Sequence, residues 1–156
     1  MSAEMKVLVL DGSAYAGLEA ASLVERALRL RLKLAVADVL YERELAARGG
    51  EALRRLGLRV ATLADVGMAV RLHRNHPVLS AGDAFACALA SANAWMLVTR
   101  NPALEAVAVT HAVPCRGVDW LVAEIARREA ARFDLYTMQR PPRVDDTGLR
   151  GYALER

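Results

Sequence analysis

The sequence predicts an α/β fold, a three-layer α/β/α sandwich around a central, mainly parallel sheet, and three observations carry that prediction. Residues 6–10, unbroken in apolar character from Val7, end at Asp11-Gly12, the pattern of a strand buried on both faces. Residues 95–99 repeat it and end at Arg100-Asn101-Pro102. Between such runs lie longer stretches with helical spacing, long enough to cross from one parallel strand to the next. At 156 residues and 54% hydrophobic content, the chain has the length of one domain and ample material for a single core.

Taken in order, the elements begin with the strand at residues 6–10. A helix is expected over residues 14–30, where Leu18, Leu23, Ala27 and Leu30 fall near helical spacing. Asp38 is placed to cap a second helix reaching about residue 47, with Gly49-Gly50 as its stop. A short helix over 51–56, a strand over 58–63 and a helix over 65–72 follow, the last broken by His76-Pro77. Ser80 and Asp83 have capping-box spacing and open an Ala-rich helix to about residue 93. After the strand at 95–99, Asn101-Pro102 is an N-cap and N1 pair that opens another helix. Residues 112–115 read as the last strand and 118–133 as the last helix. The segment Gln139-Arg140-Pro141-Pro142-Arg143 onward reads as an extended tail, so the expected division is a domain over 1–133 and a tail over 134–156.

Charge and cysteine content narrow the class. The formal charge of +3 is modest and almost all of its cationic side is arginine, Lys6 and Lys33 being the two lysines. That permits contact with a phosphate backbone without requiring it. Two cysteines, Cys87 and Cys115, are too few and too far apart for a disulfide framework, which fits a reducing cytoplasm. The apolar run near the N-terminus is too short for a signal peptide or a membrane span, so no membrane partner is expected.

In doubly wound sheets the ligand crevice lies beyond the carboxyl ends of the strands. Asp11 and Asn101 stand at strand ends, Asp83 in the first turn of a helix and Glu42 on the helix after Asp38. Carboxylates that converge from separate elements repel each other, and a hard divalent cation is the usual remedy, Mg²⁺ favouring a few carboxylates plus water. Each position also has a structural explanation: Asp11-Gly12 as a turn, Asp83 as a capping residue, Asn101 as an N-cap, and Glu42 as a solvated helix residue that periodicity does not separate from Glu44.

These residues, in this order, resemble a PIN domain, the compact nuclease fold known from the VapC-like toxins of toxin–antitoxin pairs. The match covers residues 6–125: a strand ending in Asp11-x-Ser13, a helix with Tyr41-Glu42, Leu79-Ser80-x-x-Asp83-Ala84 heading an Ala-rich helix, and a strand ending in Thr99-x-Asn101 where the family usually has Thr-x-Asp. The turn Gly117-Val118-Asp119-Trp120-Leu121 resembles the family's last strand-to-helix junction. The resemblance implies a Mg²⁺- or Mn²⁺-dependent ribonuclease in which Asp11 and Asp83 are the metal ligands, Glu42 completes the acidic cluster, and Asn101 takes the fourth acidic position without its charge. Ser13 and Thr99 would support the carboxylates by hydrogen bonding. It also implies RNA as substrate, an antitoxin protein as partner and a homodimer. The departure at Asn101 leaves a degenerate domain that binds RNA or protein without cutting as the alternative.

The remaining candidates point elsewhere. His73 and His76 have no third ligand nearby in sequence and a breaker follows them, which argues against zinc. Cys87 sits in an apolar helix as a buried thiol. Arg54, Arg55, Arg71, Arg74 and Arg100 are candidate phosphate contacts, whereas Trp95 and Trp120 occupy core-like positions.

Overall fold

The computed structural model describes residues 6–139. The chain divides into two compact units, residues 1–125 and 126–156. The first holds a five-stranded, all-parallel sheet in the order β3-β2-β1-β4-β5, formed by β1 (Leu8–Leu10), β2 (Leu34–Ala37), β3 (Arg59–Ala61), β4 (Met96–Thr99) and β5 (Cys115–Gly117). The helices are α1 (Gly12–Ala20), α2 (Val24–Arg29), α3 (Asp38–Leu40), α4 (Gly50–Arg55), α5 (Gly67–Asn75), α6 (Ala81–Asn93), α7 (Pro102–Thr110) and α8 (Val118–Gln139). From α3 the chain continues into a π-helical turn, Tyr41–Leu45, and a 3-10 turn, Ala46–Arg48.

Side chains alternate across the strands and so build two cores. Leu8, Leu10, Leu34, Val36 and Val98 pack with α1, α2 and Val118, Leu121 and Ile125 of α8. Val9, Ala37 and Leu97 face the other way, against α5, α6 and α7. A sheet covered on both faces explains why its central strands read as unbroken apolar runs.

Several boundaries differ from expectation. The helix expected over residues 14–30 is two helices, parted at Ser22, whose φ is +59°. Leu23 N–H there closes onto Leu18 C=O at 2.8 Å, a Schellman-type ending. The same closure recurs at Arg31 (φ +67°), Ala94 (φ +55°) and Ala112 (φ +57°), with Leu32, Trp95 and Val113 as the following residues. These endings use no glycine, so the usual stop signal is missing from the sequence. Strand β2 had no counterpart in the sequence reading, since four apolar residues between two helical patterns show no period of their own. At Gly49, φ +88° ends the 3-10 turn as a glycine stop should, and Gly50 then starts α4 where a Cβ would meet Leu45 O at 2.7 Å. Helix α8 runs to Gln139 rather than stopping near residue 133. Within the second unit it exposes Phe133, Leu135, Tyr136 and Met138. Residues 140–156 of the expected tail lie outside the described residues. Among the described residues, no helix is long and apolar enough to cross a membrane.

Candidate active site

Sheet register builds the centre of the site. Leu10 of β1 pairs with Val98 of β4, so the next residues, Asp11 and Thr99, emerge side by side. Thr99 Oγ1 donates to Asp11 Oδ2 at 2.6 Å. Asp11 is also the N-cap of α1, its Oδ1 accepting from Ala14 N–H at 2.7 Å, and Ser13 Oγ lies 2.9 and 3.0 Å from the two carboxylate oxygens. Ser13 and Thr99 are themselves tied to the chain after β4: Arg100 N–H donates to Ser13 Oγ at 2.9 Å and Asn101 N–H to Thr99 Oγ1 at 3.0 Å. The same device recurs one strand pair away, where Ala37 pairs with Ala61 and Thr62 Oγ1 donates to Asp38 Oδ2 at 3.0 Å.

Asp11 is 1% exposed, and that burial is the main reason its carboxyl is held above the usual pKa of 3.8. Hydrogen bonds from Thr99, Ala14 and Ser13 oppose the rise, and the charge of Asp83 adds to it. The balance is a carboxylate that is hydrogen-bonded on both oxygens and still incompletely compensated.

Asp83 reaches the same place from α6. Ser80 Oγ accepts from Asp83 N–H at 3.0 Å and Asp83 Oδ2 from Ser80 N–H at 3.1 Å, completing the expected capping box. Both hydrogen bonds to the Asp83 carboxylate fall on Oδ2; among the described residues none reaches Oδ1. The second donor is Asn101, whose Nδ2 lies 3.3 Å from Asp83 Oδ2. Its Oδ1 meanwhile accepts from Ala103 N–H at 3.0 Å as the N-cap of α7. The network thus orients the amide with its donor toward the acid and its oxygen toward the helix. At the fourth acidic position, Asn101 thus offers Asp83 a hydrogen.

Asp11 and Asp83 line one cavity of about 200 Å³, together with Gly12, Ser80, Arg43 and Glu44. Glu42, expected to complete the acidic cluster, is exposed and lies outside that lining. Helical spacing supplies the reason. Residues four apart share a face in an α-helical or a π-helical turn and residues two apart do not, so Glu44 follows the cavity-lining Leu40 and Glu42 does not. Glu44 and Arg43 are the lining residues missed from sequence, and the fact that Leu40 lines the cavity is what separates Glu44 from Glu42.

Among the described residues, no three His, Cys, Asp or Glu side chains come close enough to share a metal ion. The donor set present is the Asp11 and Asp83 pair, with one Asp83 oxygen free of hydrogen bonds. It fits a small hard cation that keeps several waters and takes only one or two carboxylates from the protein. The other candidates have structural work. His73 Nδ1 lies 3.0 Å from Leu79 O, His76 meets His111 edge to face, and Arg54 sits over the Tyr41 ring. Burial pushes the thiols of Cys87 and Cys115 up to about 11, so neither is a thiolate nucleophile near neutrality.

No protein-family model matches the chain, and no curated protein does. Among solved structures it is similar to PAE2754 from Pyrobaculum aerophilum, with 22% identity, a TM-score of 0.54, and coverage of 79% of this chain and 90% of that one. It is likewise similar to SSO1118, a PilT N-terminus domain protein from Sulfolobus solfataricus P2, with 16% identity, a TM-score of 0.54, and coverage of 76% and 92%. At these identities the likeness shows architecture alone, and together with the five-stranded parallel sheet it establishes a PIN-like α/β/α fold for this chain.

Proposed function

We propose that the chain is a Mg²⁺- or Mn²⁺-dependent ribonuclease of PIN-domain type, hydrolysing RNA phosphodiester bonds at the Asp11–Asp83 cavity. The observation that carries this reading is the convergence of a buried, incompletely compensated carboxylate and a second acid on one cavity of about 200 Å³ at the strand ends. Asp11 and Asp83 would hold the cation, which supplies Lewis acidity toward water and phosphoryl oxygens. Ser13 and Thr99 fix the orientation of Asp11 by donating to it, and Glu44 adds an acid at the rim that could accept a proton from an attacking water. With an amide at Asn101, the site has charge for one ion rather than two. A role as the toxin of a toxin–antitoxin pair is the cellular form of this reading, and co-purification with the product of a neighbouring small gene tests it.

A second reading, RNA or protein binding without cleavage, draws on one observation: the Asn101 amide donates to Asp83 where a cation would otherwise be needed. A cleavage assay on single-stranded RNA with and without Mn²⁺ separates the two. The nuclease reading expects slow Mn²⁺-dependent cleavage, abolished in Asp11→Asn and raised in Asn101→Asp. If Asn101→Asp binds no more Mn²⁺ than the parent and neither cuts, the binding reading replaces it.

A further inference from the structure

Three neighbouring strand ends set the scale of the crevice. Along the sheet order β2-β1-β4, the chain beyond β2 carries Arg43, the end of β1 carries Asp11, and the end of β4 carries Arg100. Adjacent strands lie about 4.8 Å apart, so β2 and β4 are separated by about 10 Å with the carboxylate site between them.

Arg43 and Arg100 are set apart by their place near the acidic site, and neither is held there by an anionic partner. Arg48 is paired with Glu19 at 3.2 Å, and Arg54 rests on Tyr41. Among the described residues, neither Arg43 nor Arg100 makes an ion pair or a side-chain hydrogen bond. Arg43 nevertheless lines the cavity that holds Asp11 and Asp83. Arg100 is exposed, and its side chain lies close along α1 at Gly17, where an added Cβ would stand 3.0 Å from Arg100 Cδ and 3.3 Å from Nη1. The absence of a side chain at residue 17 therefore lets this arginine lie against the helix. An arginine in the cavity lining and another at the end of the strand beside Asp11, neither in an ion pair, match a polyanion whose reacting group needs a cation and whose neighbouring groups need counter-charges.

We propose that Arg43 and Arg100 each contact a backbone phosphate of RNA on either side of the Asp11–Asp83 site, so that the substrate strand crosses the strand ends from β2 over β1 to β4. This rests on the ribonuclease reading and adds to it the path and the residues that position the strand. Both side chains act as charges on phosphate, so their contribution is independent of base sequence.

The test is binding of a short, fluorescently labelled single-stranded RNA in EDTA, where cleavage is absent, measured by anisotropy over a series of salt concentrations. Each of Arg43→Gln and Arg100→Gln should weaken binding uniformly across RNA sequences and make the log–log salt slope shallower by about 0.7, the value for one phosphate contact on a single strand. Arg43→Lys and Arg100→Lys should keep the parent slope, which a merely structural role would not predict. Arg59→Gln, on the edge strand β3, should leave affinity and slope unchanged. If the parent binds RNA and the Gln variants retain its slope, the proposed path is wrong while the RNA reading stands. If the parent does not bind RNA even at low salt, the RNA reading fails and the path with it.

Discussion

At the scale of single residues, Asp11 is where burial and hydrogen bonding oppose each other. Its folded pKa lies above 3.8, so its neutral form is favoured in the fold. The stability this group contributes is fully present below 3.8 and is lost as pH rises through the folded value. Metal binding needs the carboxylate, so protons should displace Mn²⁺ at a higher pH than at an ordinary carboxylate site. Thermal melts across pH, with and without Mn²⁺, should show the Mn²⁺ stabilisation fading as pH falls through that raised value. Asp11→Asn should remove both this titration and the Mn²⁺ response, and should melt higher than the parent in metal-free buffer at neutral pH. At Asn101 the balance runs the other way. Asn101→Asp keeps an N-cap for α7 but exchanges a donor to Asp83 for a third charge. Loss of a hydrogen bond to a charged group predicts about 1–3 kcal/mol of destabilisation in EDTA, recovered by saturating Mn²⁺. A variant that melts like the parent in EDTA would show the amide bond to Asp83 to be weightless.

At the scale of elements, the helix endings without glycine are the main lesson in legibility. Buried apolar runs, the capping box at Ser80 and the Asn101-Pro102 start were readable because each is a local pattern whose chemistry acts locally. The break at Ser22 was not, since a residue that carries the left-handed penalty is placed there by the burial of its neighbour Leu23, whereas the ends near residues 30, 93 and 111 were readable from the patterns on either side. A different limit hid Glu44: spacing alone does not say which face of that helix turns toward the cavity, and the folded chain answers it by placing Leu40 and Glu44 together in the lining. If the left-handed penalty is carried as described, Ala94→Gly should stabilise the protein by about 0.5–1 kcal/mol, the steric relief exceeding the entropy cost of glycine. Chemical denaturation midpoints check this, and an unchanged or lowered midpoint would mean the Ala94 turn is relaxed.

At the scale of the whole molecule, register and strand order determine the site more than any motif does. Asp11 meets Thr99 because Leu10 pairs with Val98, across a separation in sequence that no local pattern encodes. The proposed homodimer also belongs to this scale. Exposed Phe133, Leu135, Tyr136 and Met138 on α8 support it. Light scattering at micromolar concentration should return a dimer, and Phe133→Glu combined with Met138→Glu should return a monomer without changing the far-UV circular dichroism. A parent that scatters as a monomer removes the dimer.

The proline at the first position of α7 has a consequence in chemical ageing. Asparagine side chains turn into aspartate when the next residue's backbone nitrogen, stripped of its proton, attacks the amide carbon and closes a succinimide ring. Pro102 has no backbone N–H to lose, and its ring holds that nitrogen in the helix start. The amide at Asn101 is therefore shielded from the commonest spontaneous route to the acid. Ageing by that route adds no carboxylate at position 101, and an acid there has to be written in the gene.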